Sequence, residues 1–149
     1  MLLALILSTG LVLLTVLIHY EALRLTSLLL PRLKIPPRQL TLVVIAACFI
    51  AHTFEVWLHA IVYYLVTDHF GIGSFGGIFD HQFMDYLYFS TSTYTSLGYG
   101  DIYPLGGLRL MAGIEAISGL MMIAWSASFT QSGCYYPCSC LPRSWHGFH

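Results

Sequence analysis

The residues whose types and spacing could do chemistry form one short segment, residues 96–101, with the sequence SLGYGD. Its two glycines, Gly98 and Gly100, alternate with larger residues, and glycine adopts positive φ at no steric cost. Such a backbone can turn successive carbonyl oxygens toward one side. Hard cations favour oxygen ligands, and a ring of carbonyls from several chains can replace the hydration shell of a cation. The segment therefore predicts a cation site built from the main chain.

The elements that must position this segment are strongly apolar. The chain has 149 residues, of which 57% are hydrophobic and 9% charged, and its mean hydropathy is +0.74. Soluble domains carry about 25% charged residues, so we expect a membrane protein. The formal net charge of −1, with six Lys and Arg residues, excludes a nucleic-acid-binding protein, which needs clustered basic residues.

Three stretches are long enough to cross a membrane, which takes about 20 mostly apolar residues in a helix. They are residues 2–19, 40–66 and 106–130. The first could be a secretory signal peptide, but no basic residue precedes its apolar core and no cleavage pattern follows it. We therefore expect residues 1–20 to form a retained N-terminal transmembrane helix.

Basic residues give the expected orientation in the membrane. Four of the six lie in residues 21–39: Arg24, Arg32, Lys34 and Arg38. The positive-inside rule places this segment in the cytoplasm as a basic loop, which its prolines should keep non-helical. The N-terminus is then outside, and the C-terminal tail, residues 131–149, is cytoplasmic.

The predicted outer region has two parts. Residues 67–82 are rich in glycine and indicate an exposed loop. Residues 84–95 lack Gly and Pro but are too short to span a bilayer, which favours a re-entrant or interfacial helix. Non-helical backbone is tolerated at membrane depth only where it is buried in protein or lines a watery path. We therefore expect the short helix to hold residues 96–101 beside such a path.

The run YFSTSTYTSLGYGDIYP, residues 88–104, resembles the pore helix, selectivity filter and outer mouth of potassium channels, whose signature reads T-V-G-Y-G-D. The resemblance extends over residues 40–130, a helix, pore loop and helix similar to two-transmembrane bacterial potassium channels. It implies an all-α integral membrane protein with three transmembrane helices and a re-entrant pore helix and filter loop between the second and third. It also implies four copies around one pore.

The resemblance assigns roles to individual residues. The filter that it implies for K⁺ consists of Ser96, Leu97, Gly98, Tyr99 and Gly100. The residues that it implies as filter support are Asp101, Tyr88 and Thr95. The Ser96 hydroxyl would complete the innermost site, and Asp101 would bond to the pore helix.

The sequence departs from the family pattern at several of these positions. Ser96 replaces the usual Thr, and Leu97 replaces the commoner Val. Tyr88 and Phe89 stand where family members often have Trp, and Phe89 cannot donate a hydrogen bond. These differences bear on the degree of selectivity more than on conduction.

Carboxylates inside the predicted spans need partners. A carboxylate at the centre of a membrane helix costs about 2.5 to 3.5 kcal/mol on insertion scales. Helix geometry places Glu115 of the third span at a depth similar to that of His59 and Glu55 of the second. We predict that Glu115 pairs with His59 or shares a proton with Glu55, which would let these residues sense protons. Gly119 resembles the hinge glycine of the family's inner helix, and close helix packing is the alternative.

Other functions remain open. His52, Glu55 and His59 share one helix face and make a metal or haem ligand set, which would indicate an intramembrane metal or redox protein. A weakly selective cation channel and a non-conducting channel subunit are further alternatives. The tail contains three cysteines and two histidines without the paired C-x-x-C spacing of structural zinc sites.

The favoured prediction is a homotetrameric channel for passive potassium flow. It has no catalytic role and needs no cofactor besides the permeant K⁺. Its expected partners are the lipid bilayer and further copies of itself.

Overall fold

The computed structural model describes residues 2–33, 35–71 and 73–135, and of residues 37, 38, 69 and 132–135 it describes only the backbone. The chain is mostly helical. Its helices are α1 (Leu2–Leu29), α2 (Pro37–Leu65), α3 (Phe83–Tyr94) and α4 (Leu108–Tyr135). A 3-10 turn (Leu30–Arg32) follows α1, and a π-helical turn (Val66–Phe70) follows α2.

Three of these helices carry segments long and apolar enough to cross a membrane. The segments are Leu2–Arg32, Gln39–Asp68 and Leu108–Gln131. The expected helical fold with three candidate spans is confirmed, and the chain is a multi-pass membrane protein.

The first helix is longer than its apolar run. Residues 1–20 were predicted to form it, but α1 continues to Leu29. The polar residues that follow the apolar run do not end the helix. Within it, Arg24 donates to the carboxylate of Glu21, one turn earlier, at 3.1 Å. The α-helix ends before Pro31, because proline has no N–H to continue the hydrogen bonds of the helix, and the chain tightens into the 3-10 turn. The predicted boundary at residue 20 is therefore wrong.

The last helix also extends beyond its predicted end. The tail was expected to begin at residue 131, but α4 continues to Tyr135. Residues 136–149, with most of the Cys and His residues of the tail, lie outside the described residues.

One face of α1 packs against α2 and α4. Its buried residues recur every three or four positions: Ala4, Ser8, Leu11, Thr15, His19, Leu23 and Thr26. Most are small or polar, which allows membrane helices to approach closely. The hydroxyls of Ser8, Thr15 and Thr26 donate to carbonyls of the preceding turn of α1. The imidazole of His19, in contrast, bonds to side chains of other helices.

The short helix α3 lies between α2 and α4 and contacts both. Its start is fixed by a capping box, in which the Asp85 carboxylate accepts the N–H of Gln82 at 3.2 Å. Its buried side chains, among them Tyr86 and Phe89, join a core formed with residues of all three long helices. The short helix predicted over residues 84–95 is therefore present.

A two-stranded antiparallel ribbon is a feature that the sequence analysis missed. Strand β1 (Gly73–Gly77) pairs with β2 (Ile102–Gly106), with Gly77 opposite Ile102. Glycine is depleted in strands, so residues 73–77 were predicted to be loop. Here the glycines permit close backbone approach, since a Cβ on Gly73 would lie 2.5 Å from the carbonyl oxygen of Leu105. Glycine in a strand often marks such an approach, and this was the available signal.

Candidate functional site

Residues 95–101 leave the end of α3 as an exposed segment without helix or strand. Thr95 caps α3, with its N–H 3.1 Å and its hydroxyl 2.7 Å from the carbonyl oxygen of Thr91. The N–H groups of Ser96 and Leu97 also bond to carbonyls in the last turns of α3, both at 3.0 Å. The segment therefore starts from a fixed position.

The backbone of the segment reverses its handedness at alternate residues. The φ angle is +56° at Ser96 and +99° at Gly98. Positive φ was expected at Gly98 and Gly100, but Gly100 has no positive φ. The two positive φ angles therefore alternate along the segment one step earlier than predicted. Glycine has another role at position 100, where a Cβ would lie 3.3 Å from the Tyr88 hydroxyl. The other residue of the segment with positive φ is Ser96, and positive φ is uncommon for residues other than glycine.

Contacts with α3 and with the ribbon hold the other end of the segment. The Tyr88 hydroxyl donates to Oδ1 of Asp101 at 3.1 Å, and this bond raises the pKa of Tyr88. The Asp101 carbonyl accepts the N–H of Ile78, beside β1, at 3.0 Å. The Tyr99 ring stacks on Phe89 with the centroids 5.7 Å apart and an interplanar angle of 5°. The segment is thus anchored at both ends and along one side.

The middle of the segment is open. Leu97 is 81% exposed and Tyr99 is 50% exposed. A Cβ on Gly98 would meet no atom within 4 Å. Leu97 therefore packs little against its own chain. The segment therefore presents main chain and side chains to whatever lies beside it.

Glu115 is buried on α4 and has two hydroxyl partners. Tyr63 of α2 donates to Oε2 at 2.5 Å, and Ser90 of α3 donates to Oε1 at 2.6 Å. The predicted pairing of Glu115 with His59 or Glu55 is wrong, because these two hydroxyls reach its carboxylate instead. Nδ1 of His59 lies 2.9 Å from the carbonyl oxygen of Glu55, one turn back on α2.

Glu55 belongs to a second buried polar group, next to the end of α3. Its Oε1 lies 2.9 Å from Nδ1 of His19, and its Oε2 accepts the hydroxyl of Tyr94. Nδ1 of His52 lies 2.8 Å from the same Tyr94 hydroxyl. The Ser126 hydroxyl lies 3.1 Å from Nε2 of His19 and 3.0 Å from Nε2 of His52. The sequence analysis missed His19, Tyr94 and Ser126, since no local spacing relates residues on α1, α3 and α4.

The predicted metal ligand set changes in one member. Among the described residues, His19, His52 and Glu55 offer ligand atoms within 4.8 Å of one another. His59 does not join them, because its Nδ1 bonds to main chain, whereas His19 faces the Glu55 carboxylate. A histidine at the end of the apolar run of residues 2–19 was the available signal for His19.

Gly119 lies where α4 passes the end of α3. A Cβ at this position would overlap the carbonyl oxygen of Tyr94 and lie 3.0 Å from its carbonyl carbon. The helix α4 continues through this residue without a break. Close packing therefore accounts for glycine at position 119, and a hinge there stays a prediction.

Comparison with protein families identifies the domain that contains the segment. A family model described as "Ion channel" matches residues 40–133. The chain belongs to this ion channel family. The match confirms the resemblance inferred from the SLGYGD motif. No curated protein and no solved structure matches the chain.

The channel domain contains every element that positions residues 95–101. It begins in the first turns of α2 and ends within α4, with α3 and the ribbon between them. Helix α1 precedes the matched residues, yet it supplies His19 to the polar group around Glu55. The contact at His19 therefore links α1 to the channel domain.

Proposed function

We propose that the chain is a potassium-selective channel in which four copies surround one pore. The observation that carries this proposal is the open segment 95–101, which bears the SLGYGD motif in an ion channel domain and is anchored at both ends. Potassium filters are built from main-chain carbonyls of four such loops. One chain supplies one strand of the ring, and cyclic symmetry is the usual way to close it.

In the proposed pore, the carbonyls of Ser96, Leu97, Gly98 and Tyr99 replace the hydration shell of K⁺. The positive φ angles at Ser96 and Gly98 support this role, since alternating handedness lets successive carbonyls face one side. The exposed side chain of Leu97 supports contact with a neighbouring copy, which would cover it.

The helix α3 contributes electrostatics to the proposed site. Its C-terminal end leads directly into the segment. A helix C-terminus carries about half a negative charge, which stabilises a nearby cation. We therefore assign α3 as a re-entrant pore helix, which enters the membrane from the outside.

The proposed orientation follows from the charges between α1 and α2. Arg32 lies in the turn after α1, and Arg24 lies in the last two turns of that helix. Their placement supports a cytoplasmic side for this connection, with the N-terminus outside and the C-terminus inside. Membership in an ion channel family supports passive transport with no catalytic role.

A weakly selective cation channel is the second candidate. Phe89 favours it, because its ring stacks on Tyr99 but has no hydrogen-bond donor to fix the filter from behind. Comparison of K⁺ with Na⁺ separates the two candidates.

The test is cation flux through the purified full chain in liposomes. We expect K⁺ flux, with reversal potentials in mixed K⁺ and Na⁺ that follow the K⁺ gradient. Gly98→Ala should abolish flux, because its φ of +99° is strained for any other residue. Gly10→Ala is the matched control, since a Cβ on this α1 residue meets no atom within 4 Å. Equal Na⁺ flux would favour the second candidate, and flux only after coexpression with other channel chains would indicate a non-conducting subunit.

A further inference from the structure

Five side chains from all four helices close a ring of hydrogen bonds beside the end of α3. In order around the ring they are Glu55, His19, Ser126, His52 and Tyr94. The four contacts that involve histidine measure 2.9, 3.1, 3.0 and 2.8 Å, and the hydroxyl of Tyr94 closes the ring on Oε2 of Glu55. The side chains of His19 and Glu55 are 0% exposed, whereas that of His52 is 20% exposed. Water therefore cannot replace a missing partner of His19 or Glu55.

The number of hydrogens in the ring does not match the number of contacts. Each of the five contacts needs one hydrogen between its two heavy atoms. If Glu55 is ionised and both histidines are neutral, the ring holds four: one on each imidazole, one on Ser126 and one on Tyr94. One contact of the ring would then bring two acceptors together, and this is costly at the three buried contacts, which involve His19 or Glu55.

One additional proton satisfies every contact. With the proton on His19, this imidazolium donates directly to Glu55 and, on its other side, to Ser126. Ser126 then donates to His52, His52 to Tyr94, and Tyr94 to the second oxygen of Glu55. With the proton on His52, the two bonds of Ser126 reverse and all five contacts are again satisfied. The ring is then electrically neutral, which suits burial among membrane helices.

We propose that Glu55, His19, Ser126, His52 and Tyr94 form a binding site for one proton, which links α1 to α2 and α4 beside the end of α3. Loss of the proton leaves one contact of the ring without a hydrogen and weakens the links among the four helices that the ring joins. Because Tyr94 is the last residue of α3, the site lies directly before the open segment 95–101. The site does not depend on conduction, so it stands apart from the proposed channel function.

Other titratable groups near the ring have partners of their own. The His59 ring lies 6.4 Å from that of Tyr94, and Nδ1 of His59 bonds to main chain. The Glu115 carboxylate, on α4, accepts bonds from two hydroxyls outside the ring. On α1, Glu21 and Arg24 are exposed and pair with each other.

A proton fits this ring better than a metal ion. The ring nitrogens of His19 and His52 and both oxygens of Glu55 already contact other side chains of the ring. A metal ion bound by His19, His52 and Glu55 would have to displace the Tyr94 hydroxyl from the carboxylate.

Two substitutions remove the need for the additional proton by different routes. In Glu55→Gln the amide group supplies the fifth hydrogen while its oxygen still accepts from Tyr94. In Ser126→Ala two contacts and one hydrogen disappear, and the remaining three contacts match the three remaining hydrogens. Glu21→Gln is the control, because it removes an exposed carboxylate of α1 without touching the ring.

The test is the protonation state of the ring in the full-length chain, purified into lipid nanodiscs at a pH of about 8, where a free histidine is neutral. Histidine ¹⁵N spectra report an imidazolium, and the infrared carbonyl band of Glu55 reports a protonated carboxyl. We expect one of these two signals in the wild type and in Glu21→Gln. In Glu55→Gln both histidines should be neutral. A wild type with two neutral histidines and an ionised Glu55 would overturn the proposal.

Stability against pH gives an independent measurement on the same samples. The folded ring binds one proton more than the unfolded chain at alkaline pH, so stability should fall as pH rises, by up to tenfold in the folding equilibrium per pH unit. All variants share a change of stability with pH that comes from groups outside the ring, and this common slope is subtracted. The remaining loss of stability with rising pH should be absent in Glu55→Gln and Ser126→Ala. Parallel profiles in all variants would contradict the proposal. The proposal would also be contradicted if the wild type retained one equivalent of Zn²⁺ and His19→Gln did not. None of these readouts requires ion flux, so failure of the channel proposal leaves them interpretable.

Discussion

Substitution of Gly119 by alanine tests whether α3 is held by close contact with α4. The added Cβ would overlap the carbonyl oxygen of Tyr94 and lie 3.0 Å from its carbonyl carbon, where ordinary contacts begin at 3.4 Å. Both partners are main chain of packed helices, so the strain must move α3 or α4 as a whole. Overpacking of this kind costs about 1 to 3 kcal/mol, a factor of roughly 5 to 150 in the folding equilibrium.

Gly113→Ala is the matched control on the same helix. A Cβ on Gly113 meets no atom within 4 Å, and alanine gains about 0.8 to 1 kcal/mol of helix propensity over glycine. The same propensity gain applies at position 119, so the difference between the two variants isolates the contact with Tyr94. The assay is unfolding of the purified protein in mixed micelles, combined with K⁺ flux in liposomes.

We expect Gly119→Ala to be less stable than Gly113→Ala by about 1 to 3 kcal/mol and to conduct less, because Tyr94 directly precedes the open segment. Equal stability and equal flux in the two variants would refute the packing argument. Equal stability with altered opening in Gly119→Ala alone would instead favour the hinge.

Three further predictions concern the surroundings of the segment. Tyr88→Phe removes the hydrogen bond to Asp101; because Tyr88 is exposed, the free energy of unfolding should change by less than about 0.5 kcal/mol, while the K⁺ to Na⁺ permeability ratio falls. The raised pKa of Tyr88 should preserve this bond as pH rises past about 10, the ordinary pKa of tyrosine. Wild-type selectivity should therefore decline only at still more alkaline pH. A decline near pH 10 would contradict a role of this bond in selectivity. Glu115→Leu removes the buried acceptor of the Tyr63 hydroxyl and should destabilise the protein by about 1 to 3 kcal/mol in thermal unfolding, whereas Glu21→Gln at an exposed position should change stability by less than about 0.5 kcal/mol.

Several features of this protein could be predicted from local sequence. The three spans follow from the length of their apolar runs, because the thickness of the bilayer fixes the number of residues required. The short helix before the segment follows from a run without Gly or Pro, and the open segment itself from the SLGYGD motif. Helix ends were less accurate. Loss of hydrophobicity marks where a chain leaves the membrane, whereas α1 ends where Pro31 lacks the N–H that would continue it.

Sequence alone did not determine which polar side chains meet. Glu115 bonds to Tyr63 and Ser90, and Glu55 bonds to His19, because α3 lies between α2 and α4 and α1 packs across both. Spacing along one helix identifies residues that share a face, but not the face of another helix that covers it. The ribbon escaped notice for a related reason, since its glycines are explained only by the strand that lies opposite. Sequence therefore determined the helices and the site segment, whereas the packing of the helices determined which polar side chains meet.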